Sequence, residues 1–100
     1  MKIIISNKAK FDIQDIFHYI ATDSPQYAKE TYENIDAKIQ QLNYSPYIGK
    51  YVPELKDKYY RELIYKSYRI IYYISENKIY INSVIHSSRN FYNAFYVHNF

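Results

Sequence analysis

In the first half of the chain, apolar residues recur at helical spacing; in the second half they alternate. Ile3, Ile4 and Ile5 are consecutive β-branched residues and predict a short opening strand. Ser6 is placed to cap a helix whose apolar stripe is Ile13, Ile16, Phe17 and Ile20. Thr22-Asp23-Ser24-Pro25 interrupts that period, and Ser24 with Pro25 at the first helical position predicts a second helix. Its stripe is Ala28, Tyr32, Ile35, Ile39 and Leu42, and Ser45-Pro46 ends it. Two stripes joined by a short turn predict an antiparallel helical hairpin. Residues 47–58 read as a loop with the only glycine, Gly49, and Pro53. Three strands are predicted over 60–66, 68–75 and 78–86, with connections at Lys66-Ser67 and Glu76-Asn77 short enough for hairpins. In the last of them Ile79, Ile81 and Ile85 are expected on one face, and Tyr80, Asn82, Val84 and His86 on the other. The tail from Ser88 to Phe100 reads as a short helix or a segment ordered by a partner.

The predicted class is therefore α+β. An N-terminal strand and an antiparallel helical hairpin pack on a mainly antiparallel four-stranded sheet, followed by a short C-terminal helix or tail. A length of 100 residues predicts a single domain over 1–100. With 48 % apolar residues and one glycine, the chain can build a core and is not low-complexity. No apolar run reaches the ~20 residues of a membrane-spanning helix, so no membrane partner is expected. The absence of cysteine excludes disulfides and thiolate chemistry and makes a cytoplasmic location the default. The three histidines and the acids lack metal-ligand spacing, so neither a metal nor another cofactor is implied.

Charge is unevenly placed. Residues 1–50 hold six Lys and six Asp/Glu, whereas residues 51–100 hold seven Lys/Arg and four acids. The second half also carries ten of the fifteen tyrosines, most densely between Tyr59 and Tyr73. Rings interleaved with cations can stack on bases and neutralise phosphates, and the excess favours a polyanion or an acidic protein.

Several segments, in order, resemble toxins of the RelE/ParE superfamily. Ala9-x-x-Asp12-Ile13-x-x-Ile16-x-x-Tyr19-Ile20 is similar to their first helix, and Ser24-Pro25-x-x-Ala28 and Ser45-Pro46-x-x-Gly49 bracket the second. Val52-Pro53-Glu54-Leu55, Arg61-Glu62-Leu63, Tyr68-Arg69-Ile70-Ile71-Tyr72 and Val84-Ile85-His86-x-x-Arg89 continue the pattern. The resemblance implies the cytoplasmic toxin of a type II toxin–antitoxin system, restrained by a cognate antitoxin in a hetero-oligomer. The activity placed first is ribosome-dependent, metal-independent mRNA cleavage. The alternatives are ParE-like inhibition of DNA gyrase without nuclease activity, and a non-toxic module that only binds antitoxin.

Cleavage by the RNA 2′-hydroxyl needs a base, a cation for the charged phosphorane and an acid for the leaving oxygen. The candidate catalytic set is Glu54, Arg69 and His86; Arg61, Arg89 and Tyr92 are candidates for binding phosphate or base. Competing structural readings stand beside these: Arg69 as a cross-strand salt bridge to Glu62, Glu54 and Arg61 as surface charge, and Arg89 as a tail contact. Tyr19, Ile20, Tyr32 and Ile39 are expected to line an apolar groove for the antitoxin.

Overall fold

The computed structural model describes residues 1–96. The order is β1 (Lys2–Ile5), α1 (Asn7–Ala21), α2 (Pro25–Gln40), β2 (Lys50–Tyr51), β3 (Tyr60–Tyr65), β4 (Tyr68–Ser75), β5 (Lys78–His86) and α3 (Phe91–Tyr96), with a 3-10 turn at Gln41–Asn43. The strands form one sheet in the order β1-β5-β4-β3-β2. All pairings are antiparallel except β1 on β5. The α+β hairpin-on-sheet architecture is as expected, and the 47–58 loop adds a fifth, two-residue strand, β2, at one edge.

Both helix starts are built by serine caps. The Ser6 hydroxyl accepts the Ala9 N–H at 3.0 Å and donates to the Asn82 carbonyl at 2.9 Å, so the cap of α1 is also a tie to β5. Ser24 accepts the Tyr27 N–H at 3.2 Å, with Pro25 opening α2. The inward stripe of α2 is Ala28, Thr31, Ile35 and Ile39, continued by Leu42. Tyr32, expected inside, is 48 % exposed, and Thr31 takes the inward position. Both residues lie three or four positions from Ala28 and Ile35, so the docking of the hairpin on the sheet, not the spacing, sets which one is buried.

The sheet separates two cores. Against the hairpin lie Leu63, Ile70, Tyr72, Ile79, Ile81 and Val84, packed on Ala9, Ile35, Ile39 and Leu42. On the opposite face Val52, Ile71 and Ile85 pack under Phe91, Ala94 and Phe95 of α3. The strict alternation expected for β5 fails because of a bulge. Ile71 pairs with Ser83 and Tyr72 with Ile81, leaving Asn82 as the extra residue. The phase therefore flips: Ile79, Ile81 and Val84 face the hairpin, whereas Ile85 faces α3.

The bulge lies where β1 turns away into α1. Asp12 covers the edge of β5 exposed there, its carboxylate accepting the Val84 N–H at 2.9 Å and the Lys8 ammonium at 2.8 Å. Tyr72 performs the same service on the other side of the core. Its hydroxyl donates to the Pro46 carbonyl at 2.8 Å and accepts the Gly49 N–H at 2.9 Å, pinning the long loop onto the sheet. Only glycine fits at position 49, since a Cβ would meet Tyr72 Oη at 2.6 Å and the Glu62 carbonyl at 2.9 Å. The β4–β5 hairpin turns on Glu76 and Asn77, both at positive φ (51° and 63°), as a two-residue type I′ connection requires.

Candidate functional site

Adjacent residues of a strand point to opposite faces, and this divides the candidate residues. Arg69 projects toward α3. Its Nε donates to Glu62 Oε1 at 2.7 Å, while Nη1 and Nη2 donate to the two oxygens of Glu54 at 2.8 and 2.6 Å. Phe91 caps the guanidinium, with the ring centre 4.8 Å from Cζ. Arg69 and Glu62 side chains are only 13 % and 2 % exposed. The Arg69 guanidinium holds the Glu54 carboxyl below its ordinary range, partly opposed by burial, and the Glu54 and Glu62 carboxylates together hold Arg69 firmly protonated. Of the two readings of Arg69, the salt bridge to Glu62 is the one formed, and Glu54 joins it. A base whose pKa is depressed by a bidentate cation is a poor proton acceptor at neutral pH.

Arg61 is similarly committed. Its Nη1 donates to the Tyr47 and Gly49 carbonyls at 3.1 and 2.8 Å, and its Cζ stacks 4.5 Å from the centre of the Tyr51 ring. It fastens the segment that leads into β2. Tyr92 also makes an internal bond, its hydroxyl donating to the Glu54 carbonyl at 3.1 Å and tying α3 to the 52–57 turn.

His86 lies on the hairpin face, its ring edge-on to Tyr68 at 5.2 Å. Nδ1 accepts the Ser88 N–H at 3.0 Å, so in the neutral ring the proton sits on Nε2. A cavity of about 350 Å³ between α1 and the β5–α3 turn is lined by His86, Tyr68, Tyr19, Asp15, Asp12 and Arg89. Arg89 is exposed and makes no ion pair among the described residues. The structure thus joins His86 to Arg89 and joins Glu54 to Arg69 and Tyr92, but keeps the two groups on opposite faces of the sheet.

The residues expected to bind antitoxin are also divided. Tyr19 is 79 % exposed beside His86, Ile20 is partly buried, and Ile39 is fully buried in the core. Tyr32 borders an open apolar hollow of about 310 Å³ between α1 and α2, with Ile13, Phe17 and Lys29. Two residues that organise this architecture were not singled out for a role from the sequence: Asp12 and Tyr72. Asp12 and Tyr72 fall inside the segments that carry the resemblance, which is the signal that would have found them.

Among the described residues no cluster of His, Asp or Glu has the makings of a metal site, and no helix is long and apolar enough to cross a membrane. No curated protein matches the chain. A similar solved structure is a chain from the chromosomal ParDE TA system from P. aeruginosa, with TM-score 0.72, 19 % identity, and coverage of 86 % of this chain and 95 % of that one. That likeness is one of fold. Residues 3–91 match the family model of the ParE toxin of the type II toxin-antitoxin system, parDE. The chain belongs to the ParE toxin family of type II toxin–antitoxin systems.

Proposed function

We propose that this chain is a growth-inhibiting toxin that acts on DNA gyrase as a protein-binding inhibitor and does not cut RNA. The observation that carries this reading is the consumption of Arg69. Its three donor nitrogens are engaged by Glu54 and Glu62 beneath Phe91, so neither the cation nor the acidic residue is free for a scissile phosphate. His86 lies on the other face of the sheet, away from Glu54 and Arg69, with Nδ1 accepting the Ser88 N–H. Family membership supports the same direction. The order adopted from the sequence, with mRNA cleavage first, is therefore reversed.

The second reading, ribosome-dependent cleavage, has one observation in its favour. His86 and Arg89 share a cavity, which supplies an acid and a phosphate ligand but no base partner beyond Asp12 and Asp15. Asp12 is already occupied by Val84 and Lys8.

The cognate antitoxin is assigned to the hollow between α1 and α2. An amphipathic helix or extended apolar segment would set side chains against Ile13, Phe17 and Tyr32. Tyr32 is exposed, so Tyr32→Glu is expected to weaken antitoxin capture without unfolding the chain.

Induction in cells lacking the antitoxin tests the proposal. Relaxed plasmid DNA with intact ribosome-bound transcripts is expected. Transcripts cut in the ribosomal A site, with normal plasmid supercoiling, would overturn it.

A further inference from the structure

The cations that stand out in the sequence, Arg61 and Arg69, are spent inside the fold, but a different pairing of rings and cations is left open. Tyr59, Tyr73 and Tyr80 form a row of near-parallel rings across the sheet. Tyr59 and Tyr73 stack at 5.1 Å and 25°, and Tyr73 and Tyr80 at 5.0 Å and 12°. Tyr73 and Tyr80 are opposite each other on β4 and β5, two of the three strands with partners on both sides. Tyr59 is 47 % exposed and the other two are partly so.

Two lysines flank this row. Lys2 pairs directly with Lys78 in the β1–β5 register, and Ile4 pairs with Tyr80. Ile3, Ile5 and Ile79 face the hairpin core, so Lys2, Lys78, Ile4 and Tyr80 share the other face. Like charges placed opposite one another destabilise a sheet. Nothing among the described residues relieves this pair: Glu76 lies in the adjoining turn and Asp57 near Tyr60, yet neither forms an ion pair with Lys2 or Lys78. Protection of an edge strand against aggregation accounts for Lys2 on β1. It does not account for Lys78, whose strand is interior to the sheet.

We propose that the Tyr59–Tyr73–Tyr80 row with the Lys2–Lys78 pair is a binding surface for single-stranded nucleic acid, the end rings Tyr59 and Tyr80 stacking on unpaired bases with Tyr73 wedged between them, and the ammonium groups contacting adjacent phosphates. An uncompensated cation pair is satisfied by a phosphodiester, and stacked phenols tolerate any base because every base has a π-face. Burial, then the neighbouring phenols of Tyr59 and Tyr80, push the Tyr73 hydroxyl up, so the ring stays uncharged beside a polyanion. This surface is separate from the His86–Arg89 cavity and does not depend on the gyrase reading; either can fail alone.

The test is fluorescence anisotropy of the full chain with a labelled oligothymidylate of about twelve nucleotides, within the site sizes of single-strand binders. An oligouridylate, an abasic strand of equal length and a duplex run in parallel. Both base-bearing single strands are expected to bind better than the abasic strand and the duplex, and a preference between them identifies DNA or RNA as the natural strand. Tyr80→Leu is expected to weaken binding about tenfold, and Tyr80→Phe to restore it. Lys78→Gln is expected to reduce the slope of log K against log salt by about 0.7, the value for one lost single-strand phosphate contact. Lys38→Gln, in the last turn of α2 on the hairpin side, serves as a control that leaves both unchanged. Circular dichroism verifies that each variant is folded. Absent binding, equal affinity for the abasic strand, preference for duplex, or a folded Tyr80→Leu and Lys78→Gln that bind like wild type would overturn the proposal.

Discussion

Arg69→Met is the substitution that separates a structural from a catalytic arginine. Methionine keeps an unbranched stem under Phe91 but strands two carboxylates. Glu62 matters more, because its side chain is 2 % exposed and its other cation, Lys50, is 3.7 Å away and 64 % exposed. Leaving such a buried charge unpaired costs about 3 kcal/mol. Glu54 is 29 % exposed and regains water, so its share is about 0.5 kcal/mol. Loss of the guanidinium–Phe91 contact adds roughly 0.5 kcal/mol. The total, about 4 kcal/mol, is a large fraction of the stability of a domain this size. It corresponds to a fall in Tm of roughly 15–30 °C. Thermal and urea unfolding followed by circular dichroism measure it. Adding Glu62→Gln to Arg69→Met is expected to recover much of the loss, because it removes the stranded charge. A loss below about 1 kcal/mol, or no recovery in the double variant, would refute the ion-triad account of Arg69.

Gly49→Ala is expected to destabilise by about 1–3 kcal/mol, read by urea titration, because the new Cβ collides with Tyr72 and the Glu62 backbone. Tyr72→Phe removes the hydroxyl between Pro46 and Gly49 and is expected to cost about 1–3 kcal/mol, with faster amide exchange at Gly49. Asp12→Ala leaves the Val84 N–H and Lys8 without their acceptor, and is expected to cost about 1–3 kcal/mol with exchange rising at Val84. Acid sensitivity follows from Glu54. Its folded pKa is depressed below the ordinary value of 4.5, so its stabilisation is fully present above that pH and is lost as pH falls through the lower folded value. Glu54→Gln is expected to flatten the stability profile below pH 4.5, as measured by unfolding across a pH series.

The elements were legible because they rest on local chemistry. The serine caps at Ser6 and Ser24, Pro25, the helical stripes and the strand alternation each act within a few residues. What was not legible depends on long-range geometry. The bulge at Asn82 has no composition signal, yet it moves Ile85 to the face opposite Ile79 and Ile81. Tyr32 and Thr31 both satisfy helical spacing around Ala28 and Ile35, and only the hairpin's docking decides which is buried. Arg69 and His86 lie in segments that resemble the same family, and sequence order cannot tell that consecutive pairing of β4 and β5 sends them to opposite faces. Glu62 was read as a candidate partner of Arg69, whereas the bidentate contact from Glu54 required the 52–57 turn to fold back over β4.

The central claim is inhibition of gyrase by a surface that needs no titrating residue. Supercoiling of relaxed plasmid by purified gyrase, titrated with wild-type chain and with His86→Ala, tests it most directly. The account predicts inhibition at closely similar concentrations for both proteins. Gyrase left untouched by amounts that halt growth, together with ribosomal transcript cleavage that disappears in His86→Ala, would contradict it.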